Sequence, residues 1–155
     1  MFKTIVWATD GSKLADGALD YVRELAQQDG SRIVAVHANE LMRGRSSGYP
    51  ALADEPELEA RIASQIKELT DVGIDTTLII RSGHKHVAAL IAEAADEVEA
   101  DLIVVATHGA GGLTAALMGS VARALCHTAQ TPVIVIPPAR NSEPKPAKDE
   151  RLAVV

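Results

Sequence analysis

Two glycine-marked corners in this chain carry residue types suited to holding an anion and a sugar. One is Thr9-Asp10-Gly11-Ser12, and the other runs from Ala106-Thr107-His108-Gly109, across nine intervening residues, to Gly119-Ser120-Val121. Glycine lets a backbone turn tightly and come close to a ligand. Ser120 reads as the N-cap hydroxyl of a following helix, and Ser12 as the cap of another. Unpaired N–H groups at a helix start, together with the positive end of its dipole, suit a di- or triphosphate. Asp10 adds a carboxylate that can accept hydrogen bonds from ribose hydroxyls.

Both corners follow strands. Phe2 to Ala8 is an apolar, β-rich run, and Leu102 to Ala106 is a five-residue apolar run bounded by Asp101 and Thr107, as expected of a strand buried on both faces. If these strands are neighbours whose crossovers leave in opposite directions, the corners open onto one crevice and Asp10 faces Gly109 across it. Asp10 could also simply cap its own turn, and Gly109 and Gly119 could serve conformation alone.

The remaining elements alternate. After Ser12, Leu14, Ala18, Val22 and Leu25 recur at helical spacing and Gly30 closes the helix. Arg32 to Ala38 reads as a second strand and residues 39–54 as a long loop. Pro56 opens a helix with the stripe Leu58, Ile62, Ile66 and Leu69, ending at Gly73. Thr76 to Ile80 is a third strand. It leads through Gly83 to a helix with Val87, Leu90, Ile91, Ala94 and Val98 inward. A helix from about Ser120 to Ala129 and a strand from Pro132 to Ile136 complete the order. Such alternation implies parallel strands in a three-layer α/β sandwich. Residues 1–138 form one domain in this reading. Residues 139–155, rich in Pro, Lys, Glu and Asp, form a disordered tail.

Composition narrows the function classes. The chain has 155 residues, a length that suits one domain. With 47% hydrophobic residues but one Trp, two Tyr and one Phe, its core is aliphatic. A formal net charge of −6 argues against general nucleic-acid binding. No apolar run reaches membrane-spanning length. The lone Cys126 and an N-terminus without signal-peptide patterning point to the cytoplasm. Cys126 reads as a small core residue.

Of the histidines, His108 sits where it can orient or hydrogen-bond a phosphate, and no second acid or base accompanies it. His84 and His86 read as a solvated helix cap rather than a metal site. His37 and His127 read as packing or surface residues. Arg43 and Arg45 read as solvated loop charges ahead of a phosphate clamp.

With these residues in place, the chain resembles the universal stress protein family over nearly the whole of residues 1–138. The resemblance rests on Thr9-Asp10-Gly11-Ser12, Val36-His37-Ala38, Gly109 and Gly119-Ser120 at their family spacing, and Pro132-Val133-Ile134-Val135. Two positions depart from the pattern: Ala106 stands where the family has its first motif glycine, and His84 where a proline often stands. The resemblance implies a five-stranded, parallel, Rossmann-like sheet of the adenine nucleotide alpha hydrolase-like type. It places Thr9, Asp10 and Ala38 on adenosine, and Ala106, His108, Gly109, Gly119, Ser120 and Val121 around the phosphates. It also implies ATP as ligand, with Mg2+ as companion or AMP as substitute, and a homodimer through the strand Pro132–Ile136. An Ala106 methyl at a point of close approach is expected to weaken binding.

The resulting expectation is a nucleotide-dependent stress-response switch. The alternative is a nucleotide-free dimeric interaction protein. The chain lacks the Gly-Lys-Ser/Thr ending of an ordinary phosphate loop, so it would be at most a slow ATPase.

Overall fold

The computed structural model describes residues 1–41, 55–108 and 118–137. Gly109, Arg43, Arg45, the end of the long loop and the tail expected beyond Pro138 lie outside them. The elements are β1 (Thr4–Ala8), α1 (Gly17–Asp29), β2 (Arg32–Glu40), α2 (Glu55–Asp71), β3 (Thr76–Gly83), α3 (Val87–Glu97), β4 (Leu102–Ala106), α4 (Ser120–Thr128) and β5 (Val133–Ile136). All five strands are parallel, in the order β3-β2-β1-β4-β5. The first and fourth strands are therefore neighbours. The chain leaves β1 toward β2 and leaves β4 toward β5, so the crossovers diverge at the β1/β4 boundary.

Strand alternation sends successive side chains to opposite faces. Ile5, Trp7, Ile33, Ala35, Leu102 and Val104 pack with Ala18, Leu19 and Val22 of α1 and Leu69 of α2. Val6, Val34, Val36, Ile103 and Val105 pack with Ala88, Ile91 and Ala94 of α3 and Ala122 and Leu125 of α4. Burying the Val, Leu and Ile side chains among these, at roughly 1.5–3 kcal/mol each, is what holds the two helical layers on the sheet. Among the described residues no helix is long and apolar enough to cross a membrane.

Several boundaries differ from the sequence reading, each for a local reason. β1 starts at Thr4 because the N–H groups of Phe2 and Lys3 donate to the Asp29 and Asp101 carboxylates instead of a neighbouring strand. α1 starts at Gly17. Ser12 does cap, its Oγ accepting from Ala15 N at 3.2 Å, but what it caps is a tight turn. Ala15, Ala18 and Leu19 donate there to carbonyls only three residues back. That turn rotates Leu14 out of the stripe, to 43% exposure. β2 and β3 run on to Glu40 and Gly83, because each continues to pair with the other. β5 begins at Val133, since Pro132 has no N–H to donate. Cys126 is exposed: on α4 the inward positions are Ala122 and Leu125, and the thiol falls one residue beyond them.

Candidate functional site

The ends of β1, β2 and β4 and the start of α4 meet at one edge of the sheet. At the end of β1, Thr9 Oγ1 accepts from Gly11 N at 3.1 Å and Asp10 Oδ1 accepts from Ser12 N at 2.9 Å. These Asx- and Thr-type turns fold the corner locally. Gly11 has φ +75°, and a Cβ there would lie 3.0 Å from Leu58 Cβ and from the Leu58 carbonyl oxygen of α2. Conformation and space both demand glycine. Asp16, just beyond the corner, receives Arg61 Nη2 and, at 2.7 Å, Gln65 Nε2, which ties α2 to the same corner.

β4 delivers the second wall. Thr107 donates both N–H (2.8 Å) and Oγ1–H (3.2 Å) to the Ile136 carbonyl, and its own carbonyl accepts from Gly119 N at 2.7 Å. Thr107 therefore joins the ends of β4 and β5 to the first turn of α4, a linking role that its sequence did not signal. Gly119 is the N-cap, with φ −58°, and Ser120 is the first helical residue rather than the cap. The expected Ser120 cap is thus corrected: the glycine amide is already held by Thr107, which sets the helix start there. Gly119 owes nothing to a positive φ. A Cβ on it would lie 2.5 Å from the Thr107 carbonyl oxygen and 3.7 Å from His108 Cα, so close approach alone excludes a side chain.

The amides of Ser120 and Val121 belong to the first turn of α4, which lacks intrahelical acceptors by construction. His108 is 9% exposed, and its Nε2 is buried without a hydrogen-bond partner among the described residues. Ala106 ends β4 opposite Ile136, with its side chain in the apolar layer under α1 and α2. On β2, Ala38 is half-buried, and its neighbour His37, 4% exposed, donates from Nδ1 to the Thr9 carbonyl at 3.1 Å. His37 Nε2 is likewise buried without a partner. Reading His37 as a packing residue missed this contact; its place in Val36-His37-Ala38, read as the end of the second strand, was the available signal. His84 is exposed, but instead of capping a helix it donates from Nδ1 to the Leu41 carbonyl at 2.6 Å. His86 Nδ1 accepts from Ala88 N at 3.3 Å and caps α3, and His127 is exposed.

Thr9, Asp10, Ala38, His108, Gly119, Ser120 and Val121 thus share one edge. This is the α/β class in which a parallel sheet opens a crevice at the point where its strand order reverses. The family model for the universal stress protein family matches residues 1–137, and the chain belongs to that family. It is 32% identical over 139 residues to the universal stress protein in the QAH/OAS sulfhydrylase 3'region of Thermus aquaticus, covering 88% of this chain and 99% of that one. It is 33% identical over 132 residues to universal stress protein Rv2005c of Mycobacterium tuberculosis, covering 81% of this chain but 42% of that longer one. Among solved structures, it resembles the universal stress protein of Archaeoglobus fulgidus in complex with dAMP (TM-score 0.65, 25% identity, 88% and 98% coverage). It also resembles a universal stress protein in complex with cAMP (TM-score 0.63, 26% identity, 87% and 97% coverage).

Proposed function

We propose that the protein binds an adenine nucleotide, ATP or AMP, in the crevice between the ends of β1 and β4, and that occupancy switches its surface toward stress-response partners in the cytoplasm. The observation that carries this reading is the Gly119 cradle. Thr107 and His108 come so close to this N-cap that a Cβ would fill the space, and the first-turn amides of α4 stand beside it. The buried, unpartnered Nε2 atoms of His37 and His108 fit a site completed by a polar ligand. Two structural relatives hold cAMP and dAMP, both adenine nucleotides.

In this reading Asp10 takes the ribose hydroxyls and Ala38 the base. Gly119, Ser120 and Val121 take the phosphates, with Gly109 and His108 alongside and Thr9 supporting Asp10. When ATP is the ligand, Mg2+ would be held by the phosphates. Ala106 points its methyl into the apolar layer, which supports a role in shaping the strand end rather than obstructing ligand. β5 is an edge strand with Ile134 38% exposed, and the homodimer is proposed to form along it.

Denaturing freshly purified protein and weighing the released small molecules tests the reading. An adenine nucleotide in near-stoichiometric amount supports it. If none is released and none binds on titration, the nucleotide-free interaction protein becomes the better account.

A further inference from the structure

Parallel pairing of β1 with β2 runs to Ala8 opposite Val36, and Thr9 N–H extends it by donating to the Val36 carbonyl at 3.0 Å. In a parallel pair, a residue donates to one flank of its partner and accepts from the other. The next rung would therefore join Ala38 N–H to the Thr9 carbonyl. That rung is not formed. The Thr9 carbonyl is taken instead by His37 Nδ1. On its other edge β2 keeps pairing with β3 as far as Glu40 opposite Gly83, so β2 itself continues straight through this point. A side chain bonds the carbonyl where the next rung would be.

We infer that His37 is the positioning residue of the crevice: its imidazole caps the Thr9 carbonyl, parts β1 from β2 one rung early, and leaves the Ala38 amide as a donor for a ring-nitrogen acceptor of a purine base. The inference rests on the nucleotide reading and deepens it by naming what opens the base site. A Thr9 carbonyl facing bulk water would need no cap, but His37 is 4% exposed and its bond to Thr9 lies in low dielectric, where it is strong. The opposite ring nitrogen is buried without a partner, a burden that an apolar side chain at this position would not carry. A residue kept only for packing is poorly served by that arrangement. The same bond fixes the Thr9–Asp10 peptide, and with it the direction in which the Asp10 carboxylate leaves the strand.

Amide hydrogen exchange on the ligand-free protein tests the positioning role directly. In the parent protein, the Ala38 amide should exchange much faster than the Val36 amide. His37→Phe removes the cap and lets the missing rung close, slowing Ala38 exchange by about tenfold or more. His37→Asn presents a carboxamide N–H near the place of Nδ1 and should keep Ala38 fast. Titration with AMP should then show a loss of about tenfold in affinity for His37→Phe, the size of one net hydrogen bond, and near-parental affinity for His37→Asn. A slowly exchanging Ala38 in the parent overturns the inference, as does equal loss of affinity in both variants. Should His37→Phe fail to fold, the parent and His37→Asn still decide the matter. If the parent shows the exchange pattern but binds no AMP, the nucleotide reading is what fails.

Discussion

Side chains bond the backbone at both ends of the parallel sheet, but only one end is closed by them. At the end where the strands begin, side chains close off the backbone. Asp101 Oδ2 accepts from Lys3 N at 2.7 Å and Thr4 N at 2.9 Å, and Asp101 N returns a bond to the Thr4 carbonyl. Asp29 takes Phe2 N, Ser31 Oγ donates to the Phe2 carbonyl at 2.6 Å, and Arg32 reaches Thr4 Oγ1 and the Val98 carbonyl. At the end where the strands finish, the Ala38 amide makes no rung to Thr9, and two imidazole nitrogens are buried without partners. Both ends have polar side chains within reach, so availability does not explain the difference. The closed end pairs its polar groups with one another; at the open end, among the described residues, these three groups are left out of the pairing.

Four substitutions break or sharpen that contrast, from the largest expected effect to the smallest. Gly119→Val places a branched side chain against the Thr107 carbonyl and forces α4 to shift, an overpacking that costs about 1–3 kcal/mol. Calorimetry should show nucleotide binding abolished and a lowered melting temperature. Asp10→Asn keeps an oxygen for Ser12 N, so the corner survives, while the charge-assisted bonds proposed to ribose would be lost. Affinity for AMP should fall by a factor corresponding to about 1.5–3 kcal/mol, with the melting temperature unchanged. Equal affinity would remove Asp10 from the site.

At the closed end, Asp101 is held below its ordinary carboxylate value, first by the Thr4 amide and then by the Lys3 amide. A depressed folded-state value contributes stability that is present above the unfolded value, near pH 4, and lost as pH falls through the folded one. Asp101→Asn should therefore melt below the parent at pH 6 and converge on it under more acidic conditions, with nucleotide affinity untouched. A gap that persists at low pH would assign the effect to geometry rather than charge. The smallest effect is expected at Glu99, the one described non-glycine residue with positive φ (+52°). Glu99→Gly should raise stability by at most about 1 kcal/mol in urea unfolding.

The legible parts of this molecule were those with one dominant local signal. β4 is a fully apolar run and was readable to the residue, as was the Gly30 end of α1, where φ is +67°. What was not readable depends on partners remote in sequence. The extension of β2 and β3 through Asn39, Glu40, Ser82 and Gly83 follows from their mutual register and carries polar residues that look like loop. Cys126 sits in an apolar stretch, yet a shift of one position on a nine-residue helix decides core or surface. At the site, Asp10, Gly119 and their neighbours were visible as motif residues. Thr107 and His37 stood in the same motifs, but their roles were not visible, because each acts by bonding a carbonyl that only the fold brings near.

Amide chemical-shift mapping during titration with ATP measures the contrast between the two ends most directly. The account predicts perturbations at residues 9–12, at Ala38, at His108 and at residues 119–121, with Lys3, Thr4, Ser31 and Asp101 unmoved. Perturbation centred on those closed-end residues, or a saturating titration that leaves the open end unmoved, would contradict it.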